Sequence, residues 1–411
     1  MQRVVITGMG VIAPNGNGVE NFVKNSLAGK IGIKPITKFD ASETGISVAG
    51  EIDNYDKNDY VGKREARRLD LYSQYAIQVA SEAMEMAGID DKNTNPEDLG
   101  VIFGSGIGGL TTIQDQVIRM HDKGPKRVSP FFIPMAIANM AAGNISIRFN
   151  AKNISTSIVT ACASGTNSIG EAYRRIREGD AQVMITGGAE ATINETAIAG
   201  FAALTALSTS TDSNHASLPF DQDRNGFVMG EGAGALVIEN LEHAQARGAK
   251  VLGEIVGYGA TSDAYHITSP DPEGTEAARS MSKAIMQARI TPDQVGYVNA
   301  HGTATHANDA GESKAINQVF GKDCSVLVSS TKGMTGHLLG AAGAIEAVIT
   351  VASLEKGVLP PNVGCFNQDP ECQINLVNQD NQKQNIEYAI SNSFGFGGHN
   401  AVLAFKKWSE K

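Results

Sequence analysis

Cys162 lies in TACASGTNS, immediately after the β-branched run ISTSIVT and before a helical pattern. A thiolate is a strong nucleophile, and the start of a helix lowers the pKa of a thiol placed there. Ala161, Ala163 and Gly165 leave room beside it for a substrate. The same strand-to-helix turn presents serine in hydrolases. A buried, inert cysteine fits the stretch equally well, because free cysteine is commonly buried.

Histidine shifts that balance. Of eight histidines, His301 in VNAHGTAT and His337 in TKGMTGHLLG each follow a predicted strand. Ligands of open α/β sheets bind beyond the carboxyl ends of strands. Three strand ends would therefore bring Cys162, His301 and His337 to one place, where a thiol and two imidazoles could perform nucleophilic and proton-transfer chemistry. His399 in GFGGHNA is a weaker candidate. Lys332, five residues before His337, is either a solvated turn lysine or the partner of Glu346 in a buried helix. NSFGFGGHN, residues 392–400, offers backbone N–H groups that could cradle a phosphate or an oxyanion.

Two further motifs are less specific. GSGIGG, residues 104–109, has the dinucleotide spacing, which would suit a nicotinamide oxidoreductase. That fingerprint needs a second strand ending in an acid, whereas TTIQDQVIRMHDKGPKR reads as a helix and a basic loop, so close packing is the better account. GKREARRLDLY places Arg64, Arg67 and Arg68 on one predicted helix face, either a docking patch for an acidic partner or a solvated face.

The elements that must hold these residues repeat. RVVITGMG, DLGVIFGSGIGG, ISTSIVTAC and AQVMITGGAE read as strands in the first half, and VGYVNAHGT, CSVLVSSTKG and EYAISNSFGFGG in the second. Near-continuous apolar strands between helices predict parallel sheets. VIFGSG pairs with YVNAHG, and SIVTACASG with VLVSSTKGMTG, which sets Gly333 opposite Cys162. The reading is an α/β chain of two duplicated halves, 1–250 with the nucleophile and 251–411 with the histidines and the glycine turn, layered α-β-α-β-α. The chain has 411 residues, 42% hydrophobic and 19% charged, the balance of a globular protein. A net charge of -10 argues against nucleic-acid binding, and no apolar run is long enough for a membrane span. Four cysteines without a CxxC pair or zinc spacing read as reduced thiols of a cytoplasmic protein without a metal site.

TACASGTN, NAHGTAT, SSTKGMTGHLLGAAG and SNSFGFGGHN occur in this order. On these motifs the chain resembles the elongating β-ketoacyl-acyl-carrier-protein synthases, nearest the synthase II class of bacterial fatty-acid synthesis. The resemblance runs from VVITGMG to GFGGHN. It implies the thiolase fold, a homodimer, and an acyltransferase that condenses an acyl chain with malonyl-carrier protein. It implies no metal or redox cofactor, since both substrates ride on the phosphopantetheine of acyl carrier protein. Cys162 would be the nucleophile, with His301 and His337 supporting decarboxylation beside Lys332 and Glu346. Phe396 would be the gate whose N–H joins that of Cys162 in the oxyanion hole. Thr303 and Thr305 would hold the phosphopantetheine arm, with Thr268 and Ser269 near it. Ile107 and Phe201 would line the acyl pocket, and Arg64, Arg67 and Arg68 would dock the carrier protein. Initiating synthases of this fold use Cys-His-Asn, and degradative thiolases carry a second cysteine near the last glycine turn; neither pattern is present. A non-catalytic partner subunit would lack the cysteine.

Overall fold

The computed structural model describes residues 1–53, 55–56, 60–322 and 324–409. Among the described residues five strands make the main sheet path of the first half: β1 (Val4–Ala13), β2 (Leu99–Gly104), β3 (Ser155–Thr156), β4 (Val183–Glu190) and β5 (Gly232–Asn240); the two-residue strands Gly16–Asn17, Lys34–Pro35 and Val48–Ala49 lie off it. Five form the second: β6 (Gly253–Ser262), β7 (Val295–Asn299), β8 (Leu327–Ser329), β9 (Tyr388–Gly395) and β10 (His399–Lys407). Their spatial orders are β1-β5-β4-β2-β3 and β6-β10-β9-β7-β8, the same path twice. The halves join edge to edge where Val4–Ile6 of β1 pairs with Gly253–Ile255 of β6.

The sheets are mixed, not parallel. In each half the strands around β2 or β7 are parallel, while β4–β5–β1 and β9–β10–β6 run antiparallel. Residues 396–398 alone connect β9 to β10, and so tight a link can join only antiparallel neighbours. The apolar runs could not reveal this, because the long strands β1, β2, β4 and β5, and most of β9 and β10, are covered on both faces.

Helices fill the remaining layers: α1 (Leu71–Ala87), α2 (Leu110–Lys123), α3 (Ser164–Glu178), α4 (Thr275–Ala288), α5 (His306–Phe320) and α6 (Ala342–Lys356). α1 lies against β1, β5 and β4 on one outer face, and α4 against β6 and β10 on the other. α3 and α6 touch each other and strands of both halves, so they form the middle layer. Three apolar cores fill the spaces between layers. Alternation on β2 feeds two of them: Val101 and Phe103 join the outer core that also holds α1 and the short helix Met140–Arg148, and Ile102 joins the core around the middle helices. α6 is buried on every side from Ala342 to Leu354, which its Ala- and Gly-rich start allows. Each fully buried Ile, Val or Leu there contributes roughly 1.5–3 kcal/mol.

A tight turn precedes each middle helix, Ala161–Ala163 before α3 and Leu339–Ala341 before α6. Each opens on a left-handed residue, Ala161 (φ 50°) or Leu339 (φ 47°). The counterpart of Cys162 is therefore Gly340, not Gly333. The short helix Lys332–Thr335 is inserted between β8 and the second turn, and it displaces the motif pairing read from the sequence.

Candidate active site

Local bonds shape the cysteine turn. Ser164 Oγ donates to Ala161 O (2.6 Å) and accepts from Thr160 N (2.9 Å), while Thr160 Oγ1 donates to Asn167 Oδ1 (2.7 Å). These bonds hold Ala161 in a conformation that costs on the order of 1–3 kcal/mol. The turn aims Cys162 Sγ at two backbone N–H groups, its own and that of Phe396. Gly395 makes this approach possible: a Cβ there would lie 2.6 Å from Thr160 O and 3.1 Å from Cys162 N. Helix-start activation does not prevail at the thiol. Burial pushes the Cys162 thiol up to about 12, against the pull of the Lys332 charge and the two N–H groups. At rest the sulfur carries its proton.

The pocket above Cys162 is lined by His301, His337, Thr303, Thr305 and Thr268, with Phe201 and Phe396 among its apolar walls. The imidazole rings of His301 and His337 meet edge to face, centroids 5.2 Å apart. Phe227 flanks His337 at 5.3 Å and Phe394 flanks His301 at 5.8 Å. Burial holds both imidazoles well below their ordinary pKa, and the Lys332 charge adds to it, so both are neutral. Leu339 N donates to His337 Nδ1 (3.3 Å), which leaves the proton of that ring on Nε2. Lys332 and Glu346 form a fully buried ion pair.

Thr303 and Thr305 hydroxyls bond each other at 2.9 Å. Ile107 packs in the apolar cluster with Cys162 and Phe201 without lining the pocket. Ser269 is exposed and outside the pocket; its N–H donates to His266 Nδ1 at 3.1 Å. His399 opens β10 opposite Gly395 and does not line the pocket. The three arginines are exposed, although the helix itself ends at Ala66: Arg67 caps it, and Arg68, which lines one surface depression with Arg64, stacks on Phe131 at 4.9 Å. The glycines of GSGIGG serve packing. Gly104 abuts Ser164 O, Gly109 abuts Met135 O, and the N–H groups of Gly106 and Ile107 are bonded within the protein.

Two buried acids complete the surroundings. Glu312 Oε1 accepts from His301 N (2.8 Å) and Oε2 from Gly302 N (2.7 Å), fixing the His301 loop. Glu190 accepts from the loop after β2 and from Gly340. Burial pushes each up to about 7. For Glu312, the usable signal was an acid inside a helical pattern soon after His301. Glu190 was visible only as an acid ending a strand.

Comparison with known proteins agrees with this geometry. Residues 1–244 match the family model "Beta-ketoacyl synthase, N-terminal domain", and residues 252–366 match "Beta-ketoacyl synthase, C-terminal domain". The chain is 52% identical over 408 residues to the 3-oxoacyl-[acyl-carrier-protein] synthase 2 of Staphylococcus aureus, covering 99% of both. A β-ketoacyl synthase from Burkholderia phymatum superposes with a TM-score of 0.92 at 32% identity over 100% of both chains. A type II polyketide ketosynthase system, solved as an acyl-carrier protein in complex with its ketosynthase, gives 0.92 at 31% identity, covering 99% of this chain and 100% of its own. Likeness of this extent in sequence and in fold, across both halves, makes the chain a member of the β-ketoacyl synthase family.

Proposed function

We propose that this chain elongates fatty acids by condensing an acyl group, held on Cys162, with malonyl-acyl-carrier protein. One observation carries the reading: Cys162 Sγ faces its own N–H and that of Phe396 in a pocket shared with two neutral imidazoles. In the first step Sγ attacks the acyl thioester carbonyl. The thiol proton passes to a neutral imidazole, the two N–H groups hold the oxyanion, and the phosphopantetheine thiol leaves with that proton. In the second, the malonyl C–C bond breaks and CO2 departs. The electron pair becomes an enolate, and Nε2–H of His337 and the N–H of His301 donate to its oxygen in a dry pocket where such bonds are strong. The carbanion then attacks the acyl-Cys162 carbonyl. A C–C bond forms, Cys162 leaves as thiolate and takes up a proton from solvent, and the product is a β-ketoacyl thioester two carbons longer. Lys332 keeps a second positive charge off the imidazoles, and Glu346 balances it. This chemistry is complete without a metal or redox cofactor.

The relative solved with an acyl-carrier protein supports that partner class for this chain. Arg64, Arg67 and Arg68 supply exposed positive charge on an otherwise acidic protein and form the docking patch. A homodimer is the proposed assembly: α2 exposes Val117, Ile118 and Met120, and the adjoining segment exposes Ile133 and Ile137. The proposed location is the cytoplasm, where four free thiols would stay reduced. No helix among the described residues is long and apolar enough to cross a membrane. The deciding experiment is mass spectrometry after incubation with acyl-acyl-carrier proteins of several chain lengths. Acyl mass on the Cys162 peptide supports the reading, and labelling elsewhere or nowhere refutes it.

A further inference from the structure

Glu190 is the last residue of β4, fully buried, and has no part in the steps above. Four donors converge on it. Ser105 Oγ (3.0 Å) and Ile107 N (3.3 Å) reach Oε1, and Gly106 N (2.7 Å) and Gly340 N (2.9 Å) reach Oε2. Three of them belong to the loop after β2, whose Ile107 side chain packs with Cys162 and Phe201. The fourth belongs to the turn before α6. Gly340 is the duplicate of Cys162, so its N–H is the duplicate of one that faces the thiol; in this half the protein's own carboxylate takes it. Leu339, one residue earlier, stands in the pocket wall and holds His337 Nδ1. The two loops touch almost backbone to backbone: a Cβ on Gly340 would lie 2.2 Å from Gly106 N and 2.7 Å from Glu190 Oε2.

We propose that Glu190 is a positioning residue that governs acyl-chain selectivity, by locking the Ser105–Ile107 loop, whose Ile107 packs in one apolar cluster with Cys162 and Phe201, to the Gly340 turn behind His337. The proposal rests on the condensing-enzyme reading above. The ionised form of Glu190 suits the position, because all four partners donate and a carboxylate only accepts. Glutamine must turn its NH2 toward one pair of donors in either flip, and that pair then loses its acceptor. The apolar packing of Ile107 against the Cys162 cluster and the aim of His337 would loosen together.

The test compares wild type with Glu190→Gln, each given butyryl- or myristoyl-acyl-carrier protein, with Cys162 acylation and malonyl decarboxylation followed separately. The expected result is a shift of about tenfold in the long-to-short acylation ratio, with decarboxylation lowered by about tenfold. A merely structural residue would lower the melting temperature and reduce both acylations equally; an unchanged ratio overturns the proposal. Should Glu190→Gln fail to fold, Ser105→Ala removes one donor and keeps the carboxylate. A shift of about threefold in the same ratio is expected, and no shift overturns the proposal. A wild type acylated by neither substrate refutes the condensing-enzyme reading and this inference with it. An active wild type with an unshifted variant refutes this inference alone.

Discussion

Around Cys162 opposing effects meet on one sulfur. The helix start, two N–H groups and Lys332 favour thiolate, yet burial outweighs them and the thiol stays protonated. Its reactivity then depends on handing a proton to an imidazole during attack. Cys162→Gln is expected to abolish acyl transfer while malonyl decarboxylation persists, read by CO2 release; retained condensation would overturn the nucleophile assignment. The imidazoles set the pH behaviour. Their pKa values lie well below 6.5, so both rings are neutral at pH 6.5 and above. Titration of the imidazoles should therefore leave decarboxylation level from pH 8 down to about 6.5 and lower it only in more acidic buffer. A loss near pH 7 would belong to protonation of Glu190 or Glu312, which burial pushes up to about 7, and should be absent from Glu190→Gln if Glu190 is its source. Lys332→Met removes a positive charge that depresses both rings, so the acid limb should move to higher pH. An acid limb near pH 7 that moves to higher pH in neither Lys332→Met nor any other variant of the imidazole surroundings, and that persists in Glu190→Gln and Glu312→Gln, would contradict this account.

Among the elements, the ends of β9 and β4 do the positioning. Gly395→Ala would drive a methyl group against Thr160 O and Cys162 N. We expect acylation slower by about 10²–10³-fold with substrate affinity little changed, the scale of one lost oxyanion donor; a KM effect alone would argue otherwise. Much of this level was legible. Cys162, His301 and His337 announce themselves because small or polar residues follow apolar strands at each. Glu190 and Gly340 do not, because their link runs from a carboxylate to backbone N–H groups across two halves, and backbone donors leave no mark in a sequence. The arginine helix was overextended for a local reason. Asp70 caps α1 in an extended conformation, accepting from Tyr72 N at 3.2 Å, so no helix can run through it. Strand direction was equally hidden, since a strand buried on both faces reads the same whichever way its neighbour runs.

At the scale of the whole molecule, charge and apolar surface decide association. Arg64→Glu with Arg67→Glu should lower kcat/KM for acyl-acyl-carrier protein by about tenfold, leave reaction with a small acyl thioester unchanged, and flatten the salt dependence. Equal losses with both substrates would remove the docking role. Light scattering should give twice the mass of the 43.2 kDa chain, and Val117→Asp on the exposed face of α2 should release the monomer; a wild-type monomer would refute the dimer.

The middle layer has a consequence for synthesis. α6 comes from the second half of the chain yet covers strands of the first. A nascent chain that has reached residue 250 therefore carries a complete strand set whose inner face is covered by α3 alone, with the surface meant for α6 bare. At 5–20 residues per second the ribosome needs on the order of 5–20 s more to deliver α6 through Lys356. Throughout that interval the emerging half is a client for chaperones, and a transcript truncated there would encode an aggregating fragment rather than a smaller domain.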